Sequence, residues 1–275
     1  TPFSERLDLD YKPIIEGDPW GQKWESAWFH LKGQIPENWA GKSIAAELDF
    51  SGEGLVFDSD GRALQGITNG SIWDPNFART RVSLIESCAG GEQIDLWVEA
   101  AANSLFGVFI DTDPPRESPD RHGWFDAKVE KMRIGIFDKD TWHLYLDVRI
   151  LLGLIKRLDE RSVRRSRAIL SLNNCINAFG DDQKRAKEAR KCLKGDLEKP
   201  ASASDLKVTA IGHAHIDTGW LWPVRETVRK CARTFANQLR IIDQYPDYIF
   251  GASQPQHYQF IKDNYPELYE RIKNA

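Results

Sequence analysis

The stretch AIGHAHIDTGWLWP, residues 210–223, places two histidines and an aspartate at alternate positions. Alternate side chains of an extended strand point to the same side, so His213, His215 and Asp217 would converge where the strand ends if the strand runs as far as Asp217. Imidazole nitrogen and carboxylate oxygen together suit a transition metal, zinc best, with cobalt or manganese as alternatives. A lone strand-end histidine more often hydrogen-bonds a loop backbone, but the alternating triplet favours a metal site. At least one further ligand must come from elsewhere.

Two tryptophans follow the aspartate and suggest a sugar as the ligand. Trp220 is the better candidate for stacking on a sugar ring beside the carboxylate, because an apolar platform there can orient a ring that carries several hydroxyls. Trp222, directly before Pro223, is expected to pack under the loop. Gln254 and Gln256 come after the next predicted strand, where they would either reach the rim of the site or cap a helix.

Strand and helix patterns alternate around this motif. LKVTAIGHAHI and YIFGASQ predict strands, whereas PQHYQFIKDNYPELYERIKNA predicts a helix interrupted at Pro266. PVRETVRKCARTFANQLRIIDQY predicts a helix that starts near Pro223 and has one apolar stripe. The stripe consists of Val228, Cys231, Ala232, Phe235, Leu239 and Ile242. This order predicts parallel strands with crossover helices, and chemistry at the carboxyl ends of the strands. Two such units complete neither a sheet nor a barrel, so we expect the domain to continue past residue 275.

Residues 24–143 show short apolar alternations separated by turn residues. In KSIAAELDF, for example, Ile44, Ala46, Leu48 and Phe50 share one face. Several strands at this spacing predict an antiparallel β-sandwich, jelly-roll-like, over residues 1–143. The chain has ten tryptophans, of which most are expected to be core residues of this domain.

The pattern changes near residue 144. Leu151, Leu154, Ile155 and Leu158 recur at helical spacing, and Gly180 marks a break before a charged run. The basic stretch 161–167 alternates with apolar residues and predicts a solvated helix face. KPASASD then predicts a linker. We therefore divide the chain into a sandwich domain, residues 1–143, a helical connector and linker, 144–204, and the start of a β/α catalytic domain, 205–275.

Composition excludes several classes of protein. The 275 residues carry a formal charge of −4 with a pI near 5.9, which offers no basic field for nucleic acid. No apolar run is long enough for a membrane helix, and the first residues lack a secretory leader, so we expect no membrane partner and a cytoplasmic location. The four cysteines form no C-x-x-C pair and are expected to be reduced, structural thiols.

At this point a family resemblance is apparent. GHAHIDTGWLWPVRETVRKCARTFANQL and YPDYIFGASQPQHYQFIKDNYPELYERIK closely resemble the start of the catalytic domain of the class II α-mannosidases, glycoside hydrolase family 38, of the cytosolic and bacterial type. PWGQKWESAWFHLKGQIPENWAGKSIAAELDFSGEGLVF and LQGITNGS resemble the sandwich domain of that subgroup, and KPASAS resembles its linker. The likeness covers nearly the whole chain. Gly219 stands where close relatives are expected to have alanine.

The resemblance implies a truncated seven-stranded β/α barrel with one divalent metal, usually zinc and in some members cobalt. His215 and Asp217 would be metal ligands, joined by a downstream aspartate and a distant histidine. His213 would support the site without binding the metal, although spacing alone leaves it open as a ligand. Trp220 matches the tryptophan that stacks on the sugar.

The implied reaction is retaining exo-hydrolysis of terminal α-linked mannose from oligosaccharides or glycans. One carboxylate attacks the anomeric carbon while the other protonates the leaving oxygen and then activates water. The nucleophile, the acid/base carboxylate and the last metal ligands would lie past residue 275. Residues 1–275 would thus contain no catalytic residue and be inactive alone. A homo-oligomer of the intact protein is an open possibility.

Two alternatives remain at this stage. A metal-dependent amidohydrolase would use both His213 and His215 as ligands, although the long preceding sandwich and the W-L-W-P sequence argue against it. A non-catalytic carbohydrate-binding module would instead expose aromatic rings on the sandwich. The exposure of Trp73, Trp97 and Trp124 distinguishes this module from an enzyme, and we expect most of them to be core residues.

Overall fold

The computed structural model describes residues 3–22, 24–70, 78–103, 126–200, 208–220 and 222–275. The chain forms two compact units, Thr1–Ile136 together with Thr209–Ala275, and Phe137–Val208. The domain boundaries at residues 143/144 and 204/205 stay predictions. The first helix begins at Lys139, with Asp138 as its N-cap, which is earlier than the change of composition near residue 144.

The N-terminal part is the predicted antiparallel sandwich. Its strands are β1 (Pro19–Gln22), β2 (Ser26–Gln34), β3 (Ile44–Asp49), β4 (Glu53–Asp58), β5 (Ala63–Thr68), β6 (Arg81–Ile85), β7 (Gln93–Ala101), β8 (Asp126–Lys128) and β9 (Lys131–Ile136). The larger sheet has the order β2-β7-β4-β5 and the smaller one the order β6-β3-β9, while β1 pairs with β8. The non-sequential order is that of a jelly roll.

The apolar face predicted for β3 forms the core between the two sheets. Ile44, Ala46, Leu48 and Phe50 are all buried, because alternate residues of the strand face the opposite sheet. Phe50 packs against Phe29 with ring centroids 4.4 Å apart.

Trp97 is a core residue, as predicted. Only 3% of it is exposed, and its ring stacks on that of His30 with a centroid separation of 3.6 Å. A sugar platform must be open to water, so Trp97 cannot serve as one. Trp73 and Trp124 lie outside the described residues.

The unit Phe137–Val208 is helical. It contains α1 (Lys139–Ile155), α2 (Val163–Phe179), α3 (Ala186–Lys191) and α4 (Lys194–Leu197). Leu151 and Leu172 lie in its core. Gly180 ends α2 with a φ of 55°, a left-handed conformation that glycine adopts readily. The predicted break is therefore confirmed.

The segment after residue 208 is a β/α unit with β10 (Gly212–His213), α5 (Val224–Gln244), β11 (Phe250–Gly251), α6 (Pro255–Asn264) and α7 (Pro266–Asn274). β10 and β11 are parallel, as the crossover predicts. Both strands are much shorter than the sequence pattern indicated, because only two residues of each pair with the other. Pro266 separates α6 from α7 as predicted. Among the helices in the described ranges, none combines the length and apolar character needed to cross a membrane.

Helix α5 packs directly on the sandwich. Phe235 and Ala232 of its apolar stripe share a hydrophobic core with Leu55 and Phe57 of β4. At Gly66 of β5, a Cβ atom would lie 2.8 Å from the Cβ of Arg233. Glycine is required here because the strand and the helix approach so closely.

Candidate active site at the end of β10

His213 is the last residue of β10, and its ring is held by the neighbouring strand. Its Nδ1 lies 2.9 Å from the carbonyl oxygen of Gly251 on β11. Since a carbonyl oxygen only accepts, Nδ1 donates this hydrogen bond. The bond fixes the orientation of the ring at the carboxyl end of the parallel pair.

His215 and Asp217 meet just beyond the strand. His215 Nε2 lies 3.2 Å from Asp217 Oδ1, and the two side chains are 74% and 40% exposed. β10 ends at His213, so the strand does not run as far as Asp217 and strand geometry alone does not align the three polar residues. The loop nevertheless brings His215 and Asp217 together. We refer to residues 214–220 as the ligand loop.

The separation of these two atoms suits a metal. Bonds of about 2.0–2.1 Å in a zinc tetrahedron place two ligand atoms roughly 3.3 Å apart. The pair His215 and Asp217 therefore fits as two ligands of one ion. In the part of the chain that the structure describes, no cluster of three or more His, Cys, Asp or Glu side chains is arranged to hold a metal. Further ligands would have to come from outside the described residues.

The backbone of Asp217 is held by hydrogen bonds to its carbonyl, one of them from Thr227 of α5. Thr227 Oγ1 donates to the carbonyl oxygen of Asp217 at 3.1 Å and accepts from the backbone nitrogen of Gly219 at 3.0 Å. Trp222 Nε1 donates to the same carbonyl at 3.3 Å and to Thr227 Oγ1 at 3.0 Å. Both side chains are buried, so this turn is tied to the first turn of the helix.

The two tryptophans of the motif have different environments. Trp220 is 63% exposed, whereas Trp222 is 8% exposed and packs beneath the loop as predicted. Their rings meet edge to face with centroids 5.5 Å apart. Gly219 between the aspartate and Trp220 has a φ of 70°, which alanine would adopt at greater cost. Glycine at this position therefore suits the turn that presents Trp220.

Gln254, which precedes α6, and His257, which lies on that helix, both contact the ligand loop. Gln254 Nε2 donates to the carbonyl of Ile216 at 3.3 Å, and its side chain does not cap α6. His257 is buried and its Nε2 lies 3.2 Å from Thr218 Oγ1. Burial, with the nearby His215, lowers the pKa of His257. Gln256 is exposed. Sequence analysis missed His257, since no spacing rule separates it from an ordinary helix residue.

A buried group of charges joins the sandwich to α5. Glu53 on β4 accepts hydrogen bonds from Lys230 Nζ and, at 3.1 Å, from Arg233 Nη2. Arg233 also pairs with Glu226, and Asn103 Nδ2 donates to Glu53 at 2.6 Å and to Glu226 at 2.9 Å. Each described charge of this group therefore has an opposite charge beside it.

The environment of Glu53 lowers its pKa. Burial alone would raise the pKa, but the charges of Arg233 and Lys230 and hydrogen bonds from Lys230 and Asn103 together lower it to about 2. The pKa of Arg233 is shifted by the acidic members of the same group. Burial disfavours its charge, and Glu226 and Glu53 outweigh this effect and raise its pKa.

A cavity of about 190 Å³ lies between the sandwich, α5 and the ligand loop. Its lining includes Glu53 and Thr68 from the sandwich, Lys230 from α5 and His215 from the loop. Lys230 Nζ also lies 4.7 Å from the ring centroid of Trp222. Through Lys230, the charged group therefore contacts Trp222, which donates a hydrogen bond to the carbonyl of Asp217.

Comparison with protein families divides the chain into two matching regions. Residues 1–134 match the α-mannosidase jelly roll domain. Residues 205–275 match the glycosyl hydrolases family 38 N-terminal domain. The first region ends within β9, two residues before the end of that strand, and the second contains the ligand loop and α5.

Curated relatives match along nearly the whole chain. Alpha-mannosidase G of Dictyostelium discoideum is 34% identical over 275 residues, which cover 98% of this chain and 24% of that protein. Human Alpha-mannosidase 2C1 is 31% identical over 277 residues, with 99% and 25% coverage. A Saccharomyces cerevisiae Alpha-mannosidase is 28% identical over 281 residues, with 96% and 25% coverage. The chain spans about a quarter of the length of these relatives.

Proposed function

This chain belongs to glycosyl hydrolase family 38, because its residues 205–275 match the N-terminal domain of that family, and we propose that the intact protein is a metal-dependent, retaining α-mannosidase. It would remove terminal α-linked mannose from oligosaccharides or glycans, most simply in the cytoplasm. The observation that carries the proposal is the convergence of His215 Nε2 and Asp217 Oδ1, 3.2 Å apart, at the carboxyl end of a parallel strand.

His215 and Asp217 would hold the metal, zinc or alternatively cobalt. When bound, this ion supplies electrostatic stabilisation of the charge that develops on the sugar. The carboxylate of Asp217 and the imidazole of His215 are exposed, so both are accessible to a ligand from solvent. Since a carboxylate oxygen only accepts, His215 Nε2 donates to Asp217, and metal binding would replace that proton.

Trp220 would bind the apolar face of the mannose ring. Its exposed ring follows the metal-binding pair by three residues, and the turn at Gly219 presents it to solvent. The buried Trp222 packs against it edge to face. This arrangement provides a flat apolar surface beside two polar ligands, which is what recognition of a hydroxylated ring requires.

The retaining reaction needs two carboxylates about 5–5.5 Å apart. We place both of them, with the remaining metal ligands, outside residues 1–275. In this proposal residues 1–275 alone have no activity, because they supply the metal-binding pair and the sugar platform but not the nucleophile or the acid.

The alternatives have less support. The relatives are α-mannosidases by name, which favours a glycosidase over an amidohydrolase. The bond from His213 Nδ1 to Gly251 does not separate the two, because it leaves Nε2 able to bind a metal. Trp97, the described member of the tryptophans that a carbohydrate-binding sandwich would expose, is core.

Hydrolysis of a chromogenic α-mannoside by the intact protein tests the proposal. Activity is expected to disappear on chelation and to return with zinc or cobalt, while the matching β-mannoside is not cleaved. Absence of turnover with every metal, together with cleavage of an amide or ester substrate, would instead support an amidohydrolase.

A further inference from the structure

We propose that Glu53 of the sandwich is a positioning residue for the ligand loop. It acts through Lys230 and Trp222 on the backbone of Asp217, so the jelly roll contributes to the geometry of the metal site. The inference rests on the proposed function for the role of Asp217. The contacts that carry it join residues in two regions that match separate domain families.

The first contact fixes Lys230. Its ammonium group is buried, with a side-chain exposure of 7%, and donates to Glu53 Oε2. A buried ammonium group requires an opposite charge, because water does not compensate for it there. Glu53 is held in turn by Asn103, whose Oδ1 accepts from the backbone nitrogen of Glu53 at 2.9 Å. The position of Lys230 is therefore set by the sandwich.

The second contact connects Lys230 with Trp222. The ammonium lies 4.7 Å from the centroid of the indole ring, within the distance at which a cation is attracted to an aromatic face. Because both groups are buried, the attraction is weakly screened by water. Lys230 thus contacts both Glu53 and the ring of Trp222, so one ammonium group joins the sandwich to the indole.

The third contact reaches the candidate metal ligand. Trp222 Nε1 donates to the carbonyl of Asp217 at 3.3 Å and to Thr227 Oγ1 at 3.0 Å. The carboxylate of Asp217 is itself 40% exposed, and its contact with His215 lies within the same loop. Its direction therefore depends on the backbone that Trp222 and Thr227 fix.

Four variants of the intact protein test the chain of contacts. Glu53→Gln removes the charge that holds Lys230. Glu53→Gln combined with Lys230→Met removes both charges and avoids an uncompensated buried ammonium, so it protects the test against simple misfolding. Trp222→Phe keeps a ring near Lys230 but deletes the N–H. Glu16→Gln is the matched control, because Glu16 pairs with Arg133 at 2.8 Å on the exposed surface of the same domain.

Two measurements on these variants do not require activity. Hydrogen exchange of the peptide covering the ligand loop, in metal-free protein, is expected to be several-fold faster in the Glu53, double and Trp222 variants. Their zinc dissociation constants are expected to rise by about 10- to 100-fold, the usual effect of losing a partner that orients a metal ligand. Glu16→Gln is expected to match wild type in both.

The outcomes separate this inference from the proposed function. If the double variant folds and shows wild-type loop exchange and zinc affinity, Glu53 has no positioning role and the inference is overturned. If instead wild-type protein shows no α-mannosidase activity while exchange and zinc affinity change as expected, the proposed reaction fails and the positioning role stands.

Discussion

Glu53 Oε2 accepts a hydrogen bond from Lys230 Nζ, although the two residues are 177 positions apart in the chain. One lies on strand β4 of the sandwich and the other on helix α5, directly after the ligand loop. This ion pair and the shared hydrophobic core explain why Thr1–Ile136 and Thr209–Ala275 form one compact unit. The sandwich is therefore part of the support of the candidate active site.

Acid should weaken this junction through Glu53. Because its pKa in the fold, about 2, lies below the ordinary value of 4.5, the carboxylate stabilises the fold fully above pH 4.5. That stabilisation is lost as the pH falls towards 2, and amounts to about 3 kcal/mol. Urea unfolding of Glu53→Gln should show a lower free energy of unfolding at neutral pH and a weaker dependence on pH between 4.5 and 2. An unchanged pH dependence would contradict the assignment.

Replacement of Asp217 by alanine should abolish metal retention in the intact protein and leave the sandwich folded. Asp95 provides a matched control, because it is equally exposed and lies 2.9 Å from the ring of His30 on the sandwich. Metal analysis after gel filtration should show loss in Asp217→Ala and none in Asp95→Ala. Equal metal content in both variants would remove Asp217 from the ligand set.

Trp220→Ala should raise KM for an α-mannoside by about fivefold, because a stacked ring contributes about 1 kcal/mol. Trp220→Phe retains an aromatic face and should restore most of the affinity. The side chain is largely exposed, so neither change should alter the melting temperature appreciably. A KM that stays at the wild-type value in Trp220→Ala would argue against a sugar platform at this position.

Thr227→Val should destabilise the protein by about 1–3 kcal/mol, the cost of leaving buried polar groups without partners. The valine keeps the shape of the side chain but deprives Gly219 N and the Asp217 carbonyl of the hydroxyl. Thr141→Val is the control, since its hydroxyl bonds Asp138 at an exposed helix end. Comparable losses in the two variants, measured by urea unfolding, would mean that the loop does not depend on Thr227.

The sequence predicted those parts of the fold that depend on periodicity and on proline and glycine. The face of Ile44, Ala46 and Leu48, the end of α2 at Gly180 and the break at Pro266 all follow from local rules and are confirmed. The burial of Trp222, expected from its position directly before Pro223 and the helix, is also confirmed.

The charged contacts between domains were not predictable in the same way. Lys230 and Arg233 belong to a helix whose apolar stripe was recognised, yet both are buried. Their partner Glu53 lies on a strand that is more than half the chain length away in sequence. The length of β10 was overestimated, since periodicity reports which residues favour a strand but not how many find a partner.

Titration of zinc into metal-free intact protein, with α-mannoside hydrolysis followed at each addition, shows whether cleavage requires the metal. No activity is expected without metal, followed by a linear rise with added zinc and saturation at one ion per chain. Full activity in the metal-free protein, or one bound zinc per chain without any cleavage of α-mannosides, would refute a metal-dependent α-mannosidase.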